Sequence, residues 1–209
     1  MNALRYFLTI IIPPLIILSN FIFLALNSSF YREIQKEAGV YENFESQSIV
    51  DDQTNSLIGY FRGKNELEHN FFSSQAILHL KDVKSLLNSA AGLLILFSTT
   101  TFSLLVFLAL KKEYSHILSA LFISSVLTIF YLSLLSLGVF NYFDSFFKGF
   151  HKALFTNDLY LFEEGDSLIK LFPQQFFILF SKALFINTLI TSTVLLLLSA
   201  VAKKLNHAS

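Results

Sequence analysis

Four apolar stretches, Leu4 to Leu26, about Ala90 to Leu110, about Ile117 to Phe140 and about Ala183 to Ala202, constrain this chain more than any other feature. Each can cross a hydrocarbon core of about 30 Å, which takes roughly 20 helical residues. Backbone N–H and C=O groups find no partner in lipid, so the stretches must be helices packed as one bundle. A helix in a water-soluble core seldom runs so far without a charge. The 54% hydrophobic composition and mean hydropathy of +0.58 agree with a bilayer as solvent. The expectation is an all-α, four-span protein forming one integral membrane domain over residues 1–209. Two longer connections, about Asn27 to Ser89 and Asn141 to Lys182, form a partly helical cap outside the bilayer.

The first stretch is too long for the apolar part of a cleavable signal, and no small-x-small site follows it closely, so it should remain as an anchor. Pro13 and Pro14 lie within it. Each lacks a backbone donor and frees a carbonyl one turn earlier, so a kink and help from a neighbouring helix are expected. Basic residues beside the spans set the orientation. Arg5, the pair Lys111 and Lys112, and the pair Lys203 and Lys204 place both termini and the short second connection in the cytoplasm, which leaves the two long connections on the outer face. Asn206 to Ser209 reads as a short solvated tail.

The formal net charge is zero and no basic tract is present, which argues against nucleic acid as a partner. There is no cysteine, hence no disulfide framework, thiolate metal cluster or cysteine nucleophile. His-Glu-x-x-His, a glycine-rich phosphate loop and Gly-x-Ser-x-Gly are missing too, so the common zinc protease, nucleotide and serine hydrolase signatures do not apply. No cofactor is called for.

Within the first long connection, Ser29 to about Ala38 should continue as helix beyond the membrane and end at Gly39, since glycine tolerates the left-handed cap. Val40 to Asn55, with Glu42, Glu45, Asp51 and Asp52, reads as a solvated connection. From Ser56 to Lys64 apolar and aromatic residues return, including Tyr60, and Gly63 suggests a turn. Phe71 to Lys84 then reads as an amphipathic helix opened by Ser73 or Ser74. On it His79 and Asp82 are three residues apart, so they share a face; Asp82 can orient the imidazole, or simply pair with Lys81 or Lys84, while Leu78, Val83 and Leu86 bury that face.

The second long connection is dense in rings, among them Tyr142, Phe143, Phe146, Phe147, Phe150, Phe155, Tyr160 and Phe162. Such rings favour a membrane interface, as an aromatic belt or as surface elements around an acyl-chain pocket. His151 stands among them. Imidazole titrates near neutrality, so His79 and His151 on one face could accept and return a proton during a reaction on a lipid. Other readings stay open: each histidine can be structural, His79, Asp82, His151 and Asp158 could hold a metal, and a non-enzymatic scaffold or assembly protein would show the same spans and rings. His69, His116 and His207 are weaker candidates, in a polar run, the cytoplasmic turn and the tail.

The order His79-Leu80-Lys81-Asp82-Val83-Lys84, then Phe150-His151, Phe155-Thr156-Asn157-Asp158, Asp166-Ser167-Leu168-Ile169 and Pro173, set against four spans, resembles the bacterial lipoprotein intramolecular transacylases over nearly the full length. Tyr160 stands where that family's pattern commonly has tryptophan. The resemblance implies transfer of the sn-2 acyl chain of a diacylglyceryl lipoprotein to its N-terminal cysteine amine, in the cell membrane, giving a lyso-form lipoprotein. It implies catalytic roles for His79 and His151 and supporting or substrate-binding roles for Asp82, Tyr60, Asn157, Asp158, Tyr160 and Asp166, with membrane lipid and a diacylated lipoprotein as partners. Nothing in the spacing of the histidines and carboxylates specifically asks for a metal.

Overall fold

The computed structural model describes residues 1–163 and 165–208, the last two by backbone alone. Its elements are α1 (Asn2–Ala25), α2 (Ser28–Glu37), a 3-10 turn (Val40–Asn43), α3 (Gln47–Phe61), α4 (Ser74–Leu110), α5 (Tyr114–Asn141), α6 (Phe143–Leu154), α7 (Ser167–Leu171) and α8 (Gln174–Ala208). No strand occurs among the described residues. Four helices, α1, α4, α5 and α8, are long and apolar enough to cross a membrane.

Two of these run further than hydropathy alone suggests. The amphipathic stretch before the second span is not a separate helix, because α4 continues unbroken for 37 residues. No glycine or proline falls between Ser85 and Ala91 to stop it. Likewise α8 begins at Gln174, just after Pro173, and continues through Ala208. The expected solvated tail is therefore helical through Ala208, and Ser209 lies outside the described residues. Lys203 and Lys204 sit in its last turns, where a cation suits the helix dipole.

The chain divides into two compact units. One comprises Met1–Phe21, Ala90–Leu137 and the chain from Leu184 onward. Leu8, Ile12, Ile16, Leu108 and Ala120 form its core, while Ile10, Phe102, Leu110 and Val201 are at least 60% exposed, as residues facing lipid should be. Helix α1 stays continuous through Pro13 and Pro14. Pro13 cannot bond the carbonyl of Thr9; Ser124 Oγ of α5 approaches that oxygen at 3.3 Å while donating to Ala120 O at 2.6 Å, so a neighbouring helix serves the freed group.

The other, here the connecting unit as opposed to the span unit just described, comprises Ile22–Ser89 and Gly138–Ala183. Asn27 caps α2 by accepting from Phe30 N at 3.1 Å, and Gly39 ends it at φ 71°. The stretch Val40 to Asn55 is not a solvated connection: it folds into the 3-10 turn and most of α3. Val50, Thr54, Leu57, Ile58 and Phe61 recur at helical spacing and are buried, whereas Asp52 points to solvent. The acidic residues mask this stripe in the sequence. Gln35, fully buried, closes the packing by donating to Thr54 Oγ1 at 2.9 Å and to Leu171 O at 3.3 Å. Each bond satisfies a polar group that would otherwise cost about 1–3 kcal/mol to bury.

Candidate active site

The connecting unit brings His79 and His151 together. His79 lies in the second turn of α4, whose start is fixed by Ser73 Oγ accepting from Ala76 N at 3.1 Å. His151 lies in the last turn of α6, an amphipathic helix that turns Phe143, Phe147 and His151 to one side at i, i+4 spacing. The imidazoles are nearly parallel, 26° between planes, with centroids 6.2 Å apart. Both are buried, 7% and 8% exposed.

Rings supply the burial. Phe155 and Phe162 lie 5.1 and 5.6 Å from His79, and Phe147 and Tyr160 lie 4.2 and 4.9 Å from His151. Leu78, expected to cover the imidazole, is 51% exposed. Successive residues on an α-helix lie about 100° apart around its axis, so Leu78 cannot share the face that His79 presents. The cover comes instead from residues 155–163 after α6, which form no helix or strand and carry Phe155, Tyr160 and Phe162.

Three polar clasps tie that segment to the start of α4. Asn157 Nδ2 donates to Asp82 Oδ2 at 2.9 Å, Gln75 Nε2 donates to the carbonyls of Leu161 and Leu159 at 2.8 and 3.1 Å, and Ser73 Oγ donates to Asp166 Oδ2 at 2.7 Å. Asp166 also caps α7 through Leu168 N at 2.8 Å. Asp82 thus holds the segment rather than the imidazole, which its side chain reaches only through charge. Tyr60 carries the Lys84 ammonium over its ring at 4.0 Å, and Asp158 offers its carbonyl to Leu161 N at 3.1 Å. Among the described residues no ring contact or hydrogen bond joins Tyr60 or Asp158 to either imidazole.

Both imidazoles lie outside the apolar span of α4, and both are less basic than ordinary histidine. Burial pushes His79 down to about 4, helped by His151 and opposed by the Asp82 carboxylate. Burial also lowers His151, against a raising bond from its own helix. That bond joins Nδ1 to the carbonyl of Phe147 at 2.8 Å. A carbonyl can only accept, so Nδ1 carries the hydrogen and Nε2 keeps its lone pair. His79 Nδ1 is buried with no protein partner. At neutral pH the site therefore holds two uncharged imidazoles, each with a nitrogen able to meet a proton in transit.

The remaining histidines lie elsewhere. His69 is exposed; His116 pairs with Glu113 at 3.0 Å and approaches Asn2 Oδ1 at 3.2 Å, in the span unit; the side chain of His207 lies outside the described residues. Among the described residues no three His, Asp or Glu side chains converge as metal ligands. Gln75 contributes most beyond the residues singled out in the sequence, and Phe155 and Phe162, named there only among the rings and motifs of the second connection, prove to cover His79. Gln75 stands four residues before His79, and that spacing was the available signal.

The chain matches the family model for lipoprotein intramolecular transacylase Lit over residues 7–177. No curated protein sequence shows a significant match. Among solved structures, the membrane integral lipoprotein intramolecular transacylase Lit of Bacillus cereus is 22% identical, with a TM-score of 0.84 and 100% of both chains covered. Two variants of that Bacillus cereus protein match similarly. With one histidine replaced by arginine the TM-score is 0.77 at 21% identity, covering 100% of this chain and 96% of the other. With the replacement by alanine it is 0.78 at 22%, covering 100% and 97%. At such identity the likeness establishes a shared four-span helical fold.

Proposed function

This chain belongs to the lipoprotein intramolecular transacylase family, acyltransferases of the cell membrane, and from that premise we propose that it moves the sn-2 acyl chain of a diacylglyceryl lipoprotein onto the amine of its N-terminal cysteine, with His79 and His151 as the acid/base pair. The observation that carries this reading is the pair itself: two neutral, buried imidazoles with centroids 6.2 Å apart under a shared aromatic cover.

The amine nitrogen attacks the ester carbonyl and loses a proton, the bond from that carbonyl to the glycerol oxygen breaks, and the oxygen takes a proton. Nε2 of His151, whose lone pair its helix leaves free, suits the first task. The imidazolium so formed returns that proton from Nε2 to the glycerol oxygen, and Nδ1 of His79, buried with no protein partner, is free to hydrogen-bond the reacting groups. Because amine and ester belong to one substrate, holding them together supplies much of the rate, as effective molarities in well-oriented intramolecular reactions indicate. No acyl-enzyme is required. The depressed basicity helps: an imidazolium fixed beside the amine would repel any positive charge that develops there. Asp82, Asn157, Tyr160 and Asp166 act in support by shaping the cover, while Tyr60 and Asp158 support from further off, Tyr60 through Lys84.

In this reading both termini are cytoplasmic and the histidines serve the outer leaflet. A cysteine introduced as Asp52→Cys should react with an impermeant reagent added to intact cells, and one introduced as Lys111→Cys should not; labelling of position 111 alone would reverse the orientation. The decisive test of function is the mass of a lipoprotein N-terminal peptide from cells with and without the protein, fragmented to locate the acyl chain. An acyl group on the amine, with a free glyceryl hydroxyl, appearing only when the protein is present is the expected result. Identical peptides in both samples would favour a scaffold role instead.

A further inference from the structure

We infer that Gln75 is a positioning residue that makes this site an acyl transferase rather than a hydrolase, by hanging the aromatic cover over the two imidazoles and so keeping water from the ester. This rests on the histidine reading and extends it to the choice of acceptor.

The geometry is specific. One amide nitrogen donates to two carbonyls, Leu161 O at 2.8 Å and Leu159 O at 3.1 Å, more than 80 residues away in sequence. These carbonyls flank Tyr160, whose ring lies 4.9 Å from His151, and precede Phe162, whose ring lies 5.6 Å from His79. Both carbonyls belong to a segment without helix or strand, so nothing in its own backbone ladder fixes them. The other clasps act toward the ends of the segment, at Asn157 and Asp166. Gln75 holds its middle, where the covering rings are.

Helix formation does not require an amide here. The first turn of a helix favours a carboxylate, and α4 has no acidic residue there. A carboxylate at position 75 would set its oxygens against two carbonyl oxygens, whereas a primary amide offers two N–H groups to the two acceptors. Water is the competitor that matters. It is present at high concentration, and its attack on the same carbonyl would break the same bond to glycerol, return the proton to the glycerol oxygen and release a free fatty acid. An amine held in place outruns it only while the site is closed.

The test uses the full chain in phospholipid vesicles with a synthetic S-(2,3-diacylglyceryl)cysteine peptide bearing a free amine, measuring N-acyl lyso product and free fatty acid together. Gln75→Glu should lower transfer by about tenfold or more, in line with the cost of small displacements at a reacting centre. It should also raise the ratio of free fatty acid to N-acyl product several-fold. Gln75→Lys, which restores a donor, should recover the ratio toward that of the parent. A ratio unchanged in Gln75→Glu, with both products falling together or neither falling, would overturn the inference, since lost folding alone lowers both equally. His79→Asn and His151→Asn run alongside separate the two claims. Full activity in those variants sinks the histidine reading, while their inactivity beside a normal product ratio in Gln75→Glu sinks only the role of Gln75.

Discussion

Hydroxyl and amide side chains behave differently in the two units. In the span unit most turn back on their own helices: Thr9 donates to Arg5 O, Thr128 to Ser124 O and Ser199 to Leu196 O, each within four residues, and even Ser124, which approaches Thr9 O, makes its shorter bond to Ala120 O. In the connecting unit they reach across the chain, as Gln35 does to Leu171, Gln75 to Leu159 and Leu161, and Asn157 to Asp82. The surroundings explain the contrast. In lipid an unpartnered polar group finds no water, so the safe partner is the carbonyl one turn below, which is present whenever the helix is. Outside lipid, a long-range bond that opens can be served by water, so such bonds are free to hold a particular tertiary arrangement. Polar side chains make the first unit inert and the second specific.

The most severe way to break this contrast is at the histidines. His79→Asn and His151→Asn keep a hydrogen-bonding group but remove the titrating ring, and each should lower lyso-lipoprotein formation by about 10² to 10⁴. His116→Asn, in the span unit, should leave activity near the parent's. Turnover with the synthetic peptide, at matched protein levels, measures all three. Full activity in both of the first two would return the aromatic site to a structural role.

Acid should separate the units next. Both imidazoles are less basic folded than unfolded, so the unfolded chain binds more protons between about pH 6.5 and 4. The stability that the neutral imidazoles allow is complete above the unfolded value near 6.5. It is lost as pH falls through the folded value of about 4 for His79. Proteolytic sensitivity of the connecting unit should rise over that window, and His79→Asn should flatten the dependence. An unchanged slope in that variant would place the acid sensitivity elsewhere.

Smaller effects come from single clasps. Asp82→Asn keeps the shape but removes the charge that receives Asn157, and should cost activity less than either histidine change, within about tenfold. Ser124→Ala, which deprives the carbonyl freed by Pro13 of its neighbour, should destabilise the protein by only about 0.6 kcal/mol and leave activity intact, as polar contacts between membrane helices usually do. Reversible unfolding in mixed micelles would check the second. A loss of several kcal/mol there would show that the span unit, too, depends on long-range polar contacts.

The spans could be read from the sequence because hydropathy acts on every residue in them at once, and their helices need no partner to satisfy the backbone. Helix α3 could not, since Glu45, Asp51 and Asp52 hide a buried stripe that ends at Phe61. The histidine pair was legible as two candidates on one face. The rings that cover them lie in residues 155–163, which follow no periodic pattern. For the same reason Asp82 could be assigned to a shared helix face with His79 but not to Asn157, and Gln75, an ordinary helix residue by type, carried no mark of its two carbonyls.

The bond from His151 Nδ1 to the carbonyl of Phe147 has one more consequence. An imidazole with both nitrogens free is a two-port relay that can take a proton on one side and release it on the other, draining the reaction toward solvent. With Nδ1 pinned inside its own helix, His151 has one port. A proton accepted at Nε2 can leave only from Nε2, back toward the molecule that supplied it. Ester and amine become alcohol and amide with no net gain or loss of protons, so a base that cannot export what it receives is matched to a reaction that has nothing to export.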